Sequence, residues 1–110
     1  MDEFVVLSGW IADEFLGPEV MANKRYNEKA DVYSFGMIMW EMVAVKIPFD
    51  GMEAMQAAYA VMNESYRPEI PSPTLPEYAQ MIRDCWHQDP EARPSWEEVI
   101  PRLESMLTKL

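Results

Sequence analysis

Apolar residues along this chain recur mostly at three- and four-residue intervals, and no alternating stretch is long enough to predict a strand. Phe4, Leu7, Ile11 and Phe15 fall at helical spacing with Val5, Ala12 and Leu16 beside them, which predicts a helix over 2–16. Gly9 weakens that helix, and an extended Phe4–Leu7 followed by a turn at Ser8-Gly9 competes with it. Gly17-Pro18 breaks the pattern, and Pro18 can open a short helix through Met21. Residues 22–29 are polar and predict a loop; Asp31 then suits a helix N-cap, because its carboxylate can accept a backbone N–H two or three residues on. From Val32 to Val45 the chain is apolar almost all round, so this helix is expected at the centre of the fold. Pro48 ends it.

Phe49-Asp50-Gly51 signals a turn, and Glu53–Asn63 predicts a helix with Met55, Ala58, Tyr59 and Met62 on one face. Pro68, Pro71, Pro73 and Pro76 forbid regular hydrogen-bonded structure over 64–76, which predicts a stiff surface crossing. Glu77–His87 is amphipathic through Tyr78, Met81, Ile82, Cys85 and Trp86, and Gln88–Pro94 predicts a loop. Ser95 and Glu98 have the spacing of a capping box, followed at helical intervals by Trp96, Val99, Ile100, Leu103, Met106, Leu107 and Leu110. Pro101 interrupts that helix and is expected to kink it. The expected fold is all-α: one domain of helices packed around the buried helix 32–45, preceded by an atypical helical segment at 1–16.

Composition narrows the function classes. A formal charge of −10 repels phosphate backbones and anionic lipid surfaces, so nucleic acid and membranes are poor partners. No apolar run approaches the ~20 residues that span a bilayer. A single cysteine, Cys85, excludes an internal disulfide and suits a reducing, cytoplasmic setting. The ten methionines suit irregular core gaps better than an adaptable binding face.

Several short motifs stand in a fixed order. Pro18-Glu19 is followed by Asp31-Val-Tyr-Ser-Phe-Gly36, then by Met-Ile-Met-Trp-Glu-Met and Pro48-Phe49. Cys85-Trp86, Asp89-Pro90 and Arg93-Pro94 come later. This order resembles the C-terminal lobe of the protein kinase superfamily over about residues 17–108, from the Ala-Pro-Glu motif (with Gly17 in place of alanine) to the I helix. Asp31 to Gly36 resembles the Asp-x-Trp-x-x-Gly start of the family's central F helix. Tyr33, with Cys85-Trp86, is most similar to tyrosine kinases and to the tyrosine-kinase-like Raf and mixed-lineage group.

The resemblance implies roles for individual residues. Glu19 is expected to pair with Arg93 in a buried bridge, a planar guanidinium meeting a carboxylate through two hydrogen bonds. Glu14 is the competing motif glutamate, but the spacing to Asp31 favours Glu19. In the family Asp31 accepts hydrogen bonds from the catalytic loop; here the plain N-cap role is preferred. Ile38 and Met42 match positions that support the apolar column below the adenine pocket. They are expected to be simple core, or contacts for whatever covers the top of the helix. Trp10-Ile11-Ala12 resembles the family's Trp-Met-Ala, yet five residues separate it from Pro18, so 1–16 reads as a replacement segment covering the F helix.

The phosphoryl-transfer parts of the family are not found in these residues. There is no Gly-x-Gly-x-x-Gly, His-Arg-Asp or Asp-Phe-Gly. The one histidine, His87, is expected at a helix end, and Cys85 on an apolar face is expected to be inert. The reading is therefore a non-catalytic kinase C-lobe fragment, natural or engineered, serving as a helical scaffold or protein-interaction unit without cofactor or metal. Met52, Met55 and Tyr59 are docking candidates if exposed, although residues at this spacing more often belong to a core. Two alternatives are a part of an ATP-dependent serine/threonine or tyrosine kinase active only with the upstream half, and a unit that self-associates through uncovered apolar surface.

Overall fold

The computed structural model describes residues 16–21 and 27–109. The helix expected over 2–16 and the Trp10-Ile11-Ala12 segment lie outside them, apart from Leu16. Helix α1 (Pro18–Met21) is followed by α2 (Glu28–Ala44), α3 (Ala54–Glu64), α4 (Pro76–Cys85), a 3-10 turn (Pro90–Ala92) and α5 (Trp96–Leu107). Among the described residues there is no strand, as the helical spacing predicts.

Helix α2 starts four residues before the expected Val32, because the cap is Asn27 and not Asp31. The Asn27 side-chain oxygen accepts the Lys29 N–H at 2.9 Å, satisfying one of the donors left over at a helix start. Glu28 and Lys29 read as loop because both are polar, yet Lys29 packs against Arg93 through its carbonyl and its ammonium. Val45 closes the helix in the left-handed conformation, its N–H bonded to the Glu41 carbonyl, and Pro48 follows in the turn.

The core forms where one face of α2 meets α4 and α5. Val32, Tyr33, Met37, Met39 and Trp40 pack with Met81, Ile82, Cys85, Trp86, Val99 and Met106. Gly36 permits the closest approach: a Cβ there would stand 2.9 Å from Cys85 Cβ and 3.2 Å from the Trp86 nitrogen. Polar ends of core side chains are tied to backbone. Trp40 Nε1 donates to the Glu69 carbonyl at 2.7 Å, and the Tyr78 hydroxyl donates to the Met39 carbonyl at 3.2 Å.

Burial departs from the expectation in two places. Helix α2 is not enclosed all round: Ile38 is 45% exposed, Met42 69% and Val45 85%, in one open stripe. Ile38 and Met42 are thus not core of the described structure. On α3 the expected apolar face is inverted, with Met55 and Tyr59 at the surface and Ala57, Ala60 and Val61 buried. Small side chains let α3 lie close to its neighbours, and the bulky ones face out. Helix α5 begins with the expected reciprocal contact, the Ser95 N–H donating to Glu98 Oε1 at 3.0 Å. It runs through Pro101, which is exposed.

Candidate functional site

The most strongly organised polar cluster is built around Arg93. Asp89 caps the 3-10 turn, accepting the Glu91 N–H at 3.0 Å, and the turn ends with Arg93 N–H on the Pro90 carbonyl at 3.1 Å. Pro94 holds the preceding residue extended, so the Arg93 side chain is directed inward rather than along a helix. The residue is 2% exposed.

Every nitrogen of the Arg93 guanidinium donates. Nη1 and Nη2 meet Glu19 Oε2 and Oε1 at 2.8 and 2.9 Å, the two-pronged geometry that makes arginine–carboxylate pairs strong. Nη1 also donates to the Lys29 carbonyl at 2.9 Å, and Nε to the His87 carbonyl at 2.7 Å. Lys29 Nζ returns a hydrogen bond to the Arg93 carbonyl at 2.6 Å. One side chain thereby joins α1, the start of α2, the end of α4 and the approach to α5. Gly17 leaves room for this: a Cβ on it would sit 2.8 Å from Glu19 Oε1.

Tyr33 lies against the pair. The guanidinium carbons of Arg93 and Arg67 are 5.0 and 5.1 Å from its ring centroid, within cation–π range. Arg67 Nε donates to the Trp86 carbonyl, Nη1 to the Tyr66 carbonyl and Nη2 to Gln88 Oε1, each at 2.8 Å. The Tyr33 hydroxyl is buried without a hydrogen-bond partner. Burial raises the Tyr33 pKa, against the opposing pull of the two arginines. Burial likewise lowers that of Arg67, against the attraction of Tyr33 and Glu19.

Of the residues singled out in the sequence, Pro18, Glu19 and Arg93 meet at this cluster, and the Trp86 carbonyl anchors Arg67. Gly36 lies one turn along α2, at the contact with α4. Asp31, Ile38 and Met42 lie elsewhere on α2; desolvation raises the Asp31 carboxyl above its ordinary value. His87 stands just beyond α4, its Nδ1 accepting the Asp89 N–H at 3.0 Å. Cys85 is fully buried, and desolvation pushes its thiol to about 12.

Sequence reasoning missed Arg67 and Lys29. Both stand in stretches read as solvated crossing or loop, and only the buried Pro68 beside Arg67 breaks that impression. Among the described residues, one cavity of about 430 Å³ lies between α3 and the turn at 47–52, lined chiefly by Leu16, Ile47, Phe49, Met52, Ala57 and Val61, and another of about 410 Å³ lies beside Trp40, Val43, Lys46 and Pro71. Among the described residues no group of three or more His, Cys, Asp or Glu side chains could hold a metal ion. No described helix is long and apolar enough to cross a membrane. The chemistry of the cluster is mechanical: it fixes α1 to the base of the fold and presents no activated nucleophile.

Comparison with known proteins agrees with the motif order. The family model for protein tyrosine and serine/threonine kinases matches residues 8–103. That match begins within the segment read as atypical. The serine/threonine/tyrosine-protein kinase HT1 of Arabidopsis thaliana is 39% identical over 90 residues, covering 82% of this chain and 23% of the relative. The probable serine/threonine-protein kinase drkA of Dictyostelium discoideum is 44% identical over 89 residues, covering 81% and 14%. The dual specificity protein kinase pyk3 of the same organism is 38% identical over 109 residues, covering 99% of this chain and 8% of its own length. The chain spans less than a quarter of each of these relatives. With a family match across most of its length and an all-helical C-lobe architecture, this chain belongs to the protein tyrosine and serine/threonine kinase family.

Proposed function

We propose that these residues form the non-catalytic base of a kinase catalytic domain, a cytoplasmic helical scaffold that holds the end of the activation segment and offers surface to protein partners. The observation that carries this reading is the Glu19–Arg93 pair, which spends a buried ion pair on seating a four-residue helix. Such an arrangement orients a segment; it contributes nothing to phosphate or magnesium chemistry, for which a kinase uses a lysine, a glycine-rich loop and two metal-binding side chains. The chain by itself then performs no phosphoryl transfer. Titration with ATP and magnesium, followed by thermal shift, is expected to leave the melting temperature unchanged. A saturable rise would overturn the reading.

A second reading is favoured by the open stripe of Ile38, Met42 and Val45 on α2. A surface of this kind calls for cover. In this reading the chain is one part of an ATP-dependent protein kinase, working only when the remainder of the catalytic domain packs on that stripe. Mixing with a separately expressed upstream half of a related kinase domain tests it. Recovery of binding and peptide phosphorylation supports the reading, and loss of neither property on Met42→Lys would count against that stripe as the contact.

A further inference from the structure

The grip on Glu19 has a second, more distant support. Arg93 is fixed by its own hydrogen bonds and by the ring of Tyr33, but that ring has no polar anchor, since its hydroxyl is buried and unpartnered. What holds the ring is its place on α2 and the two guanidiniums packed on it. Arg67, in turn, is positioned from outside α2 altogether. Its three hydrogen bonds run to Trp86, Tyr66 and Gln88. Gln88 Nε2 donates onward to the Val61 and Met62 carbonyls in α3 at 3.0 and 3.2 Å. A continuous set of contacts therefore runs from α3 through Gln88, Arg67, Tyr33 and Arg93 to Glu19. Contiguity alone does not establish coupling. Here geometry adds a reason: the buried Arg93 and the half-buried Arg67 place their guanidiniums on the same Tyr33 ring, while the Glu19 carboxylate pairs with Arg93, so a shift of Arg67 changes both the packing and the charge beside that pair.

We propose that Arg67, acting through the shared Tyr33 ring, sets how firmly Arg93 holds Glu19, so that the 65–75 crossing governs the seating of α1. Arg67 is a positioning residue in this scheme. The inference rests on the reading of the Glu19–Arg93 pair as the element that seats the segment. The crossing is well placed for outside influence. Ser65 opens it in the left-handed conformation, and Tyr66, whose carbonyl receives Arg67, is exposed and stacks loosely on Phe49 with ring centroids 5.8 Å apart. A contact that draws the crossing outward would draw Arg67 off the ring.

The test uses the side-chain signals of Arg93 in a nitrogen-15 spectrum of the 110-residue chain. In a two-pronged buried pair the Nη hydrogens exchange slowly with water. Arg67→Met is expected to speed that exchange at least tenfold while far-ultraviolet circular dichroism stays unchanged. Tyr33→Phe keeps the ring and is expected to leave the signals alone, whereas Tyr33→Leu is expected to reproduce the effect of Arg67→Met. The double variant Arg67→Met/Tyr33→Leu is expected to exchange no faster than Tyr33→Leu, because both remove the same link. If Arg67→Met does not fold, Arg67→Lys carries the test; it keeps the charge but loses the planar fork, and an intermediate acceleration is expected. Unaltered Arg93 exchange in the folded Arg67 variant, or effects that multiply in the double variant, would overturn the proposal. Neither outcome touches the nucleotide titration or the complementation experiment, so the two readings fail separately.

Discussion

The Arg93 guanidinium ties Glu19, Lys29 and His87 together through four hydrogen bonds. Glu19→Ala leaves the Arg93 charge buried without its carboxylate, and such a loss costs about 3–5 kcal/mol. Equilibrium unfolding in urea should show that loss in the extrapolated unfolding free energy; a loss below about 1 kcal/mol would mean that water replaces the carboxylate freely. Cys85 makes the opposite kind of residue-scale prediction, that of silence. With its thiol buried and raised to about 12, it should react with a thiol reagent at pH 8 only as fast as the protein opens. Rapid labelling in native buffer would contradict the packing of α2 on α4. The Arg93–Glu19 pair was legible in advance because arginine next to proline, outside a helix, stood in a known motif order. Arg67 was not, since nothing in a proline-rich stretch distinguishes an arginine that stacks on a buried ring from one that trails into solvent.

At the scale of elements, the α2–α4 contact and the helix ends give the sharpest expectations. Gly36→Ala places a methyl 2.9 Å from Cys85 Cβ and should destabilise by about 1–3 kcal/mol, because two backbones must part to admit it. Val45 sits at φ 53° and ψ 42°, a region hostile to a β-branched residue, and its side chain is mostly in solvent. Val45→Gly should therefore raise stability by about 1 kcal/mol, read as a higher melting temperature. At the start of α5, hydrogen bonds from the Ser95 N–H and hydroxyl hold the Glu98 carboxyl below its ordinary value of 4.5. A depressed carboxyl stabilises the fold above its unfolded value and ceases to do so as pH falls through the folded one. The acid limb of unfolding below about pH 4.5 should thus be shallower in Glu98→Gln. The capping box was visible from spacing alone, since cap and partner are three residues apart. The start of α2 was misplaced for a related reason: Asn27 and Asp31 are both sound caps, and only the packing of the first turn beside Arg93 selects the earlier one. The face of α3 was misread because large apolar residues were weighted above alanines, whereas close packing there favours the alanines.

On the scale of the whole molecule, helix order and core position followed from apolar spacing, but which side of α2 lies open did not. An apolar face carries the same pattern whether it meets neighbours or water. The open stripe makes association measurable. Light scattering over a dilution series should show mass rising with concentration above 12.8 kDa, and Ile38→Lys/Met42→Lys should abolish the rise; constant mass in both would exclude self-association through that face. Glu19 and Arg93 stand 74 positions apart, with nearly the whole helical order between them. Closing so wide a loop costs more chain entropy than the local turns inside it, and in a chain synthesised from its amino end Arg93 appears only after α2, α3 and α4. A nascent chain thus makes Glu19 early and its cation late. In the interval α1 stays unclasped and exposed to proteases or chaperones, however well the helices between have already coiled.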